Sequence, residues 1–184
     1  MEKVCGFLAD GFEEIEGLTV VDLLRRAGEE VEMVSIMGRK EIYGAHGIKV
    51  LADSLFEETD FADAKMLVLP GGMPGTLHLG AYEPLTKMLV EWNTNEKNIA
   101  AICAAPSVFG DLGLLEGKEA VCYPGFEERL TGATIGSESV AISGNIVTSR
   151  GLGTAIDFAA ALIEKLQSKE KAEEIKKSII YGLF

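Results

Sequence analysis

Short apolar runs alternate with stretches of helical periodicity along most of the chain. Lys3 to Ala9 (KVCGFLA) is an apolar run of strand length. After Asp10-Gly11-Phe12, apolar positions recur at helical spacing from Glu14 to Ala27, and Gly28 stands where a glycine past the last turn ends a helix. Val31 to Met37 alternates and predicts a second strand. The chain then turns polar from Gly38 to Asp53, where Ile42–Tyr43 and Ile48–Leu51 predict a small hairpin around Gly44-Ala45-His46-Gly47, beside the main sheet. Met66 to Leu69 and Ile99 to Cys103 are unbroken small or apolar runs, the mark of strands buried on both faces. Glu83 to Trp92 is amphipathic and helical, and Glu119 to Cys122 predicts another strand. Gly144-Asn145 joins Val140–Ile142 to Ile146–Ser149 as a two-residue hairpin. A one-sided apolar helix follows from Thr154 to Leu166, then a charged helix from Lys169 to Ile179, with Tyr181 to Phe184 apolar enough to dock.

This alternation predicts an α/β fold, a mainly parallel sheet sandwiched by helices. No repeat, low-complexity tract or linker divides it, so residues 1–184 are expected to form one domain. Composition narrows the partners. The formal charge is −12, which repels phosphate backbones and anionic lipid, so neither nucleic acid nor a membrane is an expected partner. No apolar run approaches a membrane span, and because the chain passes from Met-Glu-Lys straight into a strand-like run, no signal peptide is expected. Three widely spaced cysteines do not make a disulfide framework, so a cytoplasmic location is expected. With two histidines, no structural metal site is expected either.

The candidate chemistry gathers on the stretch Asn98 to Gly113 (NIAAICAAPSVFGDLG). Cys103 falls at the turn between a buried strand and a helix opened by Pro106, flanked by the small Ala104 and Ala105. This is the layout of a nucleophile elbow with a thiol as nucleophile, and the free amides of a helix N-terminus favour a thiolate. An inert core thiol is the plainer reading of the same residue. What favours chemistry is convergence. In open α/β sheets sites collect beyond the carboxyl ends of strands, and Glu13, Glu14 and Glu16, the Gly71-Gly72 loop, Cys103 and Tyr123 all fall there. Glu13 and Glu14 are expected to be solvated first-turn acids. Glu16, if it points inward beside the thiol, would keep its proton and donate a hydrogen bond to sulfur. Gly71 and Gly72 could present bare amides as an oxyanion hole requires. His46 is expected to border the pocket and His78 to stay in solvent. Cys5 and Cys122 read as core or strand-end thiols, and Asp22, Arg25 and Arg26 as an ion-paired helix face. Arg150 would brace the C-terminal hairpin or approach the pocket.

Four stretches together, EEIEGLTVVDLLRRAG (Glu13 to Gly28), LPGG (Leu69 to Gly72), AAICAAP (Ala100 to Pro106) and TSRGLGTAIDFA (Thr148 to Ala159), resemble the ThiJ/PfpI family, in the branch of the parkinsonism-associated deglycase and its bacterial relatives. The resemblance implies a flavodoxin-like three-layer sandwich of the class I glutamine amidotransferase-like type, and a homodimer, often with the first helix at its interface. It implies that Cys103 is the nucleophile and oxidisable cysteine, Glu16 its protonated partner, and Gly72 and Ala104 backbone donors; Gly71, His46, Tyr123 and Ser107 are expected to line the pocket. It also implies glyoxalase- or deglycase-type chemistry on a small carbonyl substrate without a cofactor, or a non-enzymatic role as redox sensor or chaperone with an oxidant as partner. The chain departs from the family at two places. Tyr123 stands where that branch carries histidine, and Ala104 where the proteolytic branch does. Tyrosine, with a reference pKa of about 10, is a poor base near neutrality, so protease activity is not expected to carry over. A glutaminase would need a His-x-Glu pair after Cys103, and none exists.

Overall fold

A computed structural model describes residues 2–182. Six strands and one short edge strand make the main sheet: β1 (Lys3–Leu8), β2 (Glu30–Ser35), β5 (Ser54–Leu55), β6 (Ala64–Leu69), β7 (Asn98–Ile102), β10 (Val140–Ser143) and β11 (Ile146–Ser149). Their order is β10-β11-β7-β6-β1-β2-β5, parallel throughout except that β10 runs against β11. The strands bury both faces because successive side chains point to opposite sides. Val4, Met66, Val68, Ala100 and Ile102 pack under α1 (Glu14–Arg26), α5 (Ala155–Leu166) and α6 (Lys169–Ser178), with Leu24, Phe158, Leu162 and Ile175. Cys5, Phe7, Leu67, Leu69, Ile99 and Ala101 face the opposite way, into a core with Leu79, Leu85, Leu89, Trp92 and Phe109 from α2 (Gly75–Ala81), α3 (Glu83–Thr94) and α4 (Pro106–Asp111). The result is the mainly parallel sheet between helices that the alternating pattern predicts, and the flavodoxin-like three-layer sandwich that the resemblance implies.

Two minor sheets lie outside it. β3 (Glu41–Tyr43) and β4 (Lys49–Leu51) form the expected small hairpin. β8 (Glu119–Ala120) pairs in parallel with β9 (Thr134–Ile135), and this corrects the expected strand Glu119–Cys122. It stops early because the Val121 amide turns to the Thr148 hydroxyl at 3.0 Å instead of continuing a ladder. The ends of α1 follow their local chemistry. Glu13 caps the start with a carboxylate that accepts from the Glu16 amide, and Gly28, at φ +88°, follows the last turn. Asp22 pairs with Arg26 along the helix, whereas Arg25 leaves it to reach Asp53. Of the expected docking tail, Tyr181 donates to Asp157 at 3.0 Å, and Leu183 and Phe184 lie outside the described residues.

The order in which strands are added to the sheet reverses at β1. β2 lies on one side of β1 and β6 on the other, so the carboxyl ends of β1, β6 and β7 open onto one crevice. The loops leaving those strands carry Glu13 to Glu16, Gly71-Gly72 and Cys103. That is where sites form in such sheets.

Candidate active site

Cys103 leaves β7 with φ +66°, a left-handed conformation that costs a side-chain-bearing residue on the order of 1–3 kcal/mol. The neighbours that hold it there are all backbone: its amide donates to the Ser149 carbonyl at 3.0 Å, and its carbonyl accepts from the Tyr123 amide at 2.8 Å. The Ser107 hydroxyl donates to the Ala104 carbonyl at 2.6 Å and tightens the following turn. Ser107 is fully buried, so it braces the elbow from within; this corrects its expected place on the pocket wall. Cys103 is partly exposed, while Cys5 and Cys122 are buried, as their reading as core thiols predicts.

Glu16 does point inward. It is 1% exposed, and its carboxyl shares a hydrogen bond with the Cys103 sulfur while accepting from the Gly71 amide at 3.0 Å and from the Leu152 amide. Gly71 has to be glycine: a Cβ there would lie 2.5 Å from Cys103 Cβ and 2.7 Å from Glu16 Oε2. Gly72, at φ +90°, turns its amide to the Cys103 sulfur, joined there by the amide of Ala104. Thiol, carboxyl and two amides therefore meet at one point.

Burial pushes the Glu16 carboxyl up to about 7, and the nearby Glu13 charge adds to that, against the hydrogen bonds from Cys103, Gly71 and Leu152. The Cys103 thiol also moves up, to about 12, through burial first and then the Glu16 carboxylate, with the Gly72 and Ala104 amides pulling the other way. The amides at the elbow favour a thiolate as expected, but they do not prevail. α4 is a short helix of six residues opened by Pro106, which has no N–H, and burial outweighs what amides remain. A thiolate belongs to the state in which Glu16 holds a proton, because a neutral carboxyl repels nothing and offers its O–H to sulfur.

Glu13 and Glu14 are not solvated, which corrects their reading as surface acids. Both are buried. Glu13 Oε2 caps α1 at 2.7 Å. Glu14 accepts from the amides of His46 at 2.8 Å and Ile48 at 3.3 Å, and its other oxygen meets His46 Nδ1 at 3.0 Å. His46 accordingly sits on the outer side of this turn, held by Glu14, with Glu13 3.8 Å away. The donor atoms of Glu13, Glu14 and His46 fall within 4.8 Å of one another, close enough for a metal, but the bonds just described already occupy these carboxylates. His78 is tied by Nδ1 to the Asp10 carbonyl at 3.0 Å. The Arg150 amide donates to Thr154 Oγ1 at 3.2 Å, which braces the chain where it leaves the C-terminal hairpin.

The Leu152 amide and the bare backbone of Gly151 escaped the sequence reading. The signal was present in the Ser-Arg-Gly-Leu-Gly run, whose two glycines flank the amide that turns to Glu16.

A cysteine held at positive φ beyond a central strand of a doubly covered parallel sheet, with a buried glutamate from the first helix against it, defines a class of α/β sandwich. Comparison with known proteins agrees. The DJ-1/PfpI family model matches residues 2–165, and the chain belongs to that family. Protein DJ-1 homolog B of Arabidopsis thaliana is 41% identical over 181 residues, 97% of this chain but 41% of the plant protein. The chain thus spans less than half the length of that relative. Protein dj-1beta of Drosophila melanogaster is 33% identical, with 94% of each chain covered. A solved structure of oxidized Toxoplasma gondii DJ-1 superposes with a TM-score of 0.94 at 38% identity, covering 99% of this chain and 100% of that one.

Proposed function

We propose that this chain is a cysteine-dependent stress-response enzyme acting on small reactive carbonyls, with Cys103 as nucleophile and Glu16 as proton carrier. The observation that carries the reading is the shared hydrogen bond between a partly exposed thiol and a buried carboxyl whose proton comes and goes near neutrality. The Glu16 carboxylate takes the thiol proton, and the sulfur bonds to the aldehyde carbon of a 2-oxoaldehyde. The resulting oxyanion is held by the Gly72 and Ala104 amides until Glu16 returns the proton to it. Glu16 then carries the hydrogen of that carbon, as a proton, to the neighbouring carbonyl carbon, while the hydroxyl proton of the hemithioacetal passes to that carbonyl's oxygen. The aldehyde carbon is oxidised to a thioester while its neighbour is reduced to an alcohol. Water cleaves the thioester, freeing the thiol and a 2-hydroxy acid. The substrate gains one water in total, and neither cofactor nor external oxidant enters.

The test is methylglyoxal turnover without glutathione. Turnover is expected to vanish in Cys103→Ala and to fall by about 10²- to 10⁴-fold in Glu16→Gln; unchanged turnover in Cys103→Ala overturns the reading.

Two observations favour a second reading, redox sensing: Cys103 is the one thiol of the three that is not buried, and the similar Toxoplasma protein was solved in an oxidized form. Peroxide would then convert Cys103 to a sulfinate held by the Glu16 O–H. Peptide mapping by mass spectrometry checks this, and oxidation of Cys5 or Cys122 first would count against it. A single-domain homodimer in the cytoplasm belongs to both readings. Ile15, exposed on the first turn of α1, gives that helix an apolar outer position for a partner copy, and no helix among the described residues is long and apolar enough to cross a membrane.

A further inference from the structure

The chemistry above leaves the Tyr123 side chain unused, although the chain fixes it beside the nucleophile. Its backbone amide donates to the Cys103 carbonyl at 2.8 Å, which ties the two backbones together. The point where a Cβ on Gly151 would sit lies 3.3 Å from Tyr123 Cδ2 and 3.8 Å from Glu16 Oε1. Ring edge and carboxyl therefore converge on one bare stretch of backbone. The ring is not packed away: Tyr123 is 51% exposed. Leu152, next to Gly151, is also 51% exposed, and its own amide is the one that turns to Glu16. On the other side Met73, also exposed, follows Gly72, whose amide touches the Cys103 sulfur. In a chain of net charge −12, the loops that furnish the reacting groups carry large exposed apolar side chains.

We infer that Tyr123 sets substrate specificity, its ring forming with Leu152 a flat apolar wall that receives the non-reacting substituent of the carbonyl compound. Resting on the reading of Cys103 as a carbonyl nucleophile, this names the substrate class: carbonyls with a planar, aryl-type substituent are preferred to those with a methyl. The reason is geometric. A methyl group touches one edge of the ring, whereas an aryl group meets it in an offset or edge-on pair while the carbonyl carbon stays over the sulfur. Aromatic pairs of this kind correspond to roughly 3- to 10-fold in a rate or binding ratio. A purely structural role makes a different prediction, since the bond from residue 123 to Cys103 runs through the backbone and survives substitution of the side chain.

The experiment measures second-order alkylation of Cys103 by phenacyl bromide and by bromoacetone, with the modified residue assigned by peptide mapping. The aryl-to-methyl rate ratio is divided by the same ratio for N-acetylcysteine, which cancels the reagents' intrinsic reactivity. The normalised ratio is expected to be about 3 to 10 in the unmodified protein and in Tyr123→Phe, and near 1 in Tyr123→Ala. Tyr123→Leu, which keeps apolar bulk and serves if the alanine variant fails to fold, is expected to fall between. A ratio near 1 in the unmodified protein, a ratio in Tyr123→Ala or Tyr123→Leu equal to that of the unmodified protein, or a loss in Tyr123→Phe matching that of alanine would each overturn the proposal. Turnover of phenylglyoxal and methylglyoxal is followed in the same preparations. If neither is consumed, the enzymatic reading of Cys103 falls, and the alkylation ratio still decides for or against the Tyr123 wall.

Discussion

Glu14 and Glu16 stand two residues apart on the opening turn of one helix, and each is 1% exposed. They share a residue type, a helix dipole and nearly complete burial, yet their acidities move in opposite directions. Burial works to raise both. At Glu14 it is overcome by the His46 ring and by the amides of His46 and Ile48, which hold the carboxyl below its usual range. At Glu16 burial wins: the neighbouring Glu13 charge reinforces it, and the hydrogen bonds from Cys103, Gly71 and Leu152 do not compensate. The difference lies in what each oxygen meets. The β3–β4 hairpin folds two amides and an imidazole over Glu14, and the sheet edge offers Glu16 a thiol and an apolar floor. One helical turn thus carries one carboxyl held below its usual range and one pushed above it, and the helix dipole distinguishes neither.

The largest test of this contrast is Glu16→Gln. A carboxyl raised from 4.5 to about 7 is neutral at no cost in acid, and it destabilises the fold progressively as pH climbs through that window. Above the window the destabilisation is on the order of 3 kcal/mol, since each pH unit between the two values corresponds to about 1.36 kcal/mol. Chemical denaturation at about pH 8 is therefore expected to find Glu16→Gln more stable than the unmodified protein by roughly 2–3 kcal/mol, with the gain gone near pH 4.5. A gain that persists in acid would show that packing and not charge separates the two side chains. Cys103, raised from 9.0 to about 12, adds a second decline at alkaline pH, absent from Cys103→Ala.

Glu14→Gln is expected to do the reverse. Removing a buried charge that accepts several hydrogen bonds costs about 2 kcal/mol near neutrality. Because the Glu14 carboxyl is lowered from 4.5, its contribution is present above that value and fades as pH falls below it, so the cost of Glu14→Gln shrinks in acid. His46, raised from 6.5 by Glu14, gives a matching loss as pH rises through its folded value. A histidine titration by NMR with and without Glu14→Gln checks the coupling: the His46 midpoint is expected to drop in the variant. An unmoved midpoint would break the pairing on which the low acidity of Glu14 is argued.

Sequence periodicity made the sandwich legible because strand and helix patterns depend on which side of an element is apolar. Val68 against Leu67 and Leu69, or Ile102 against Ala101, already announce two cores. The elbow was legible for a similar local reason, a buried run broken by small residues and Pro106. Short elements escaped. β5 is two residues long, and α2 contains glycine at both Gly75 and Gly80, so neither has a pattern to detect. The fate of Glu13 and Glu14 escaped because helical periodicity places a residue on a face without saying what folds over it; here the hairpin does. The acidity of Cys103 escaped in the same way. Its amide neighbours could be anticipated from Gly72 and Ala104, but the burial that outweighs them is a property of the assembled crevice.

The smallest expected effect asks whether the floor beneath Glu16 matters to the contrast. Gly6 on β1 is buried, and a Cβ built there meets nothing within 4 Å. It opens into an apolar void of about 10 Å³ under Glu16, walled by Val4, Leu8, Val20, Val31, Val68 and Ile102. A space of that size lies at or below the room one water needs, and its walls offer little to bind one. Gly6→Ala is therefore expected to stabilise the fold by about 0.5–1 kcal/mol, through lost freedom of the unfolded chain and a methyl placed in empty space. If the void is dry, the gain is the same at about pH 5 and about pH 8, because the alanine displaces nothing that solvates the Glu16 charge. A gain that shrinks at the higher pH would mean that water from below was sheltering the carboxylate, and that the difference between Glu14 and Glu16 is set by hydration as well as by their hydrogen-bond donors.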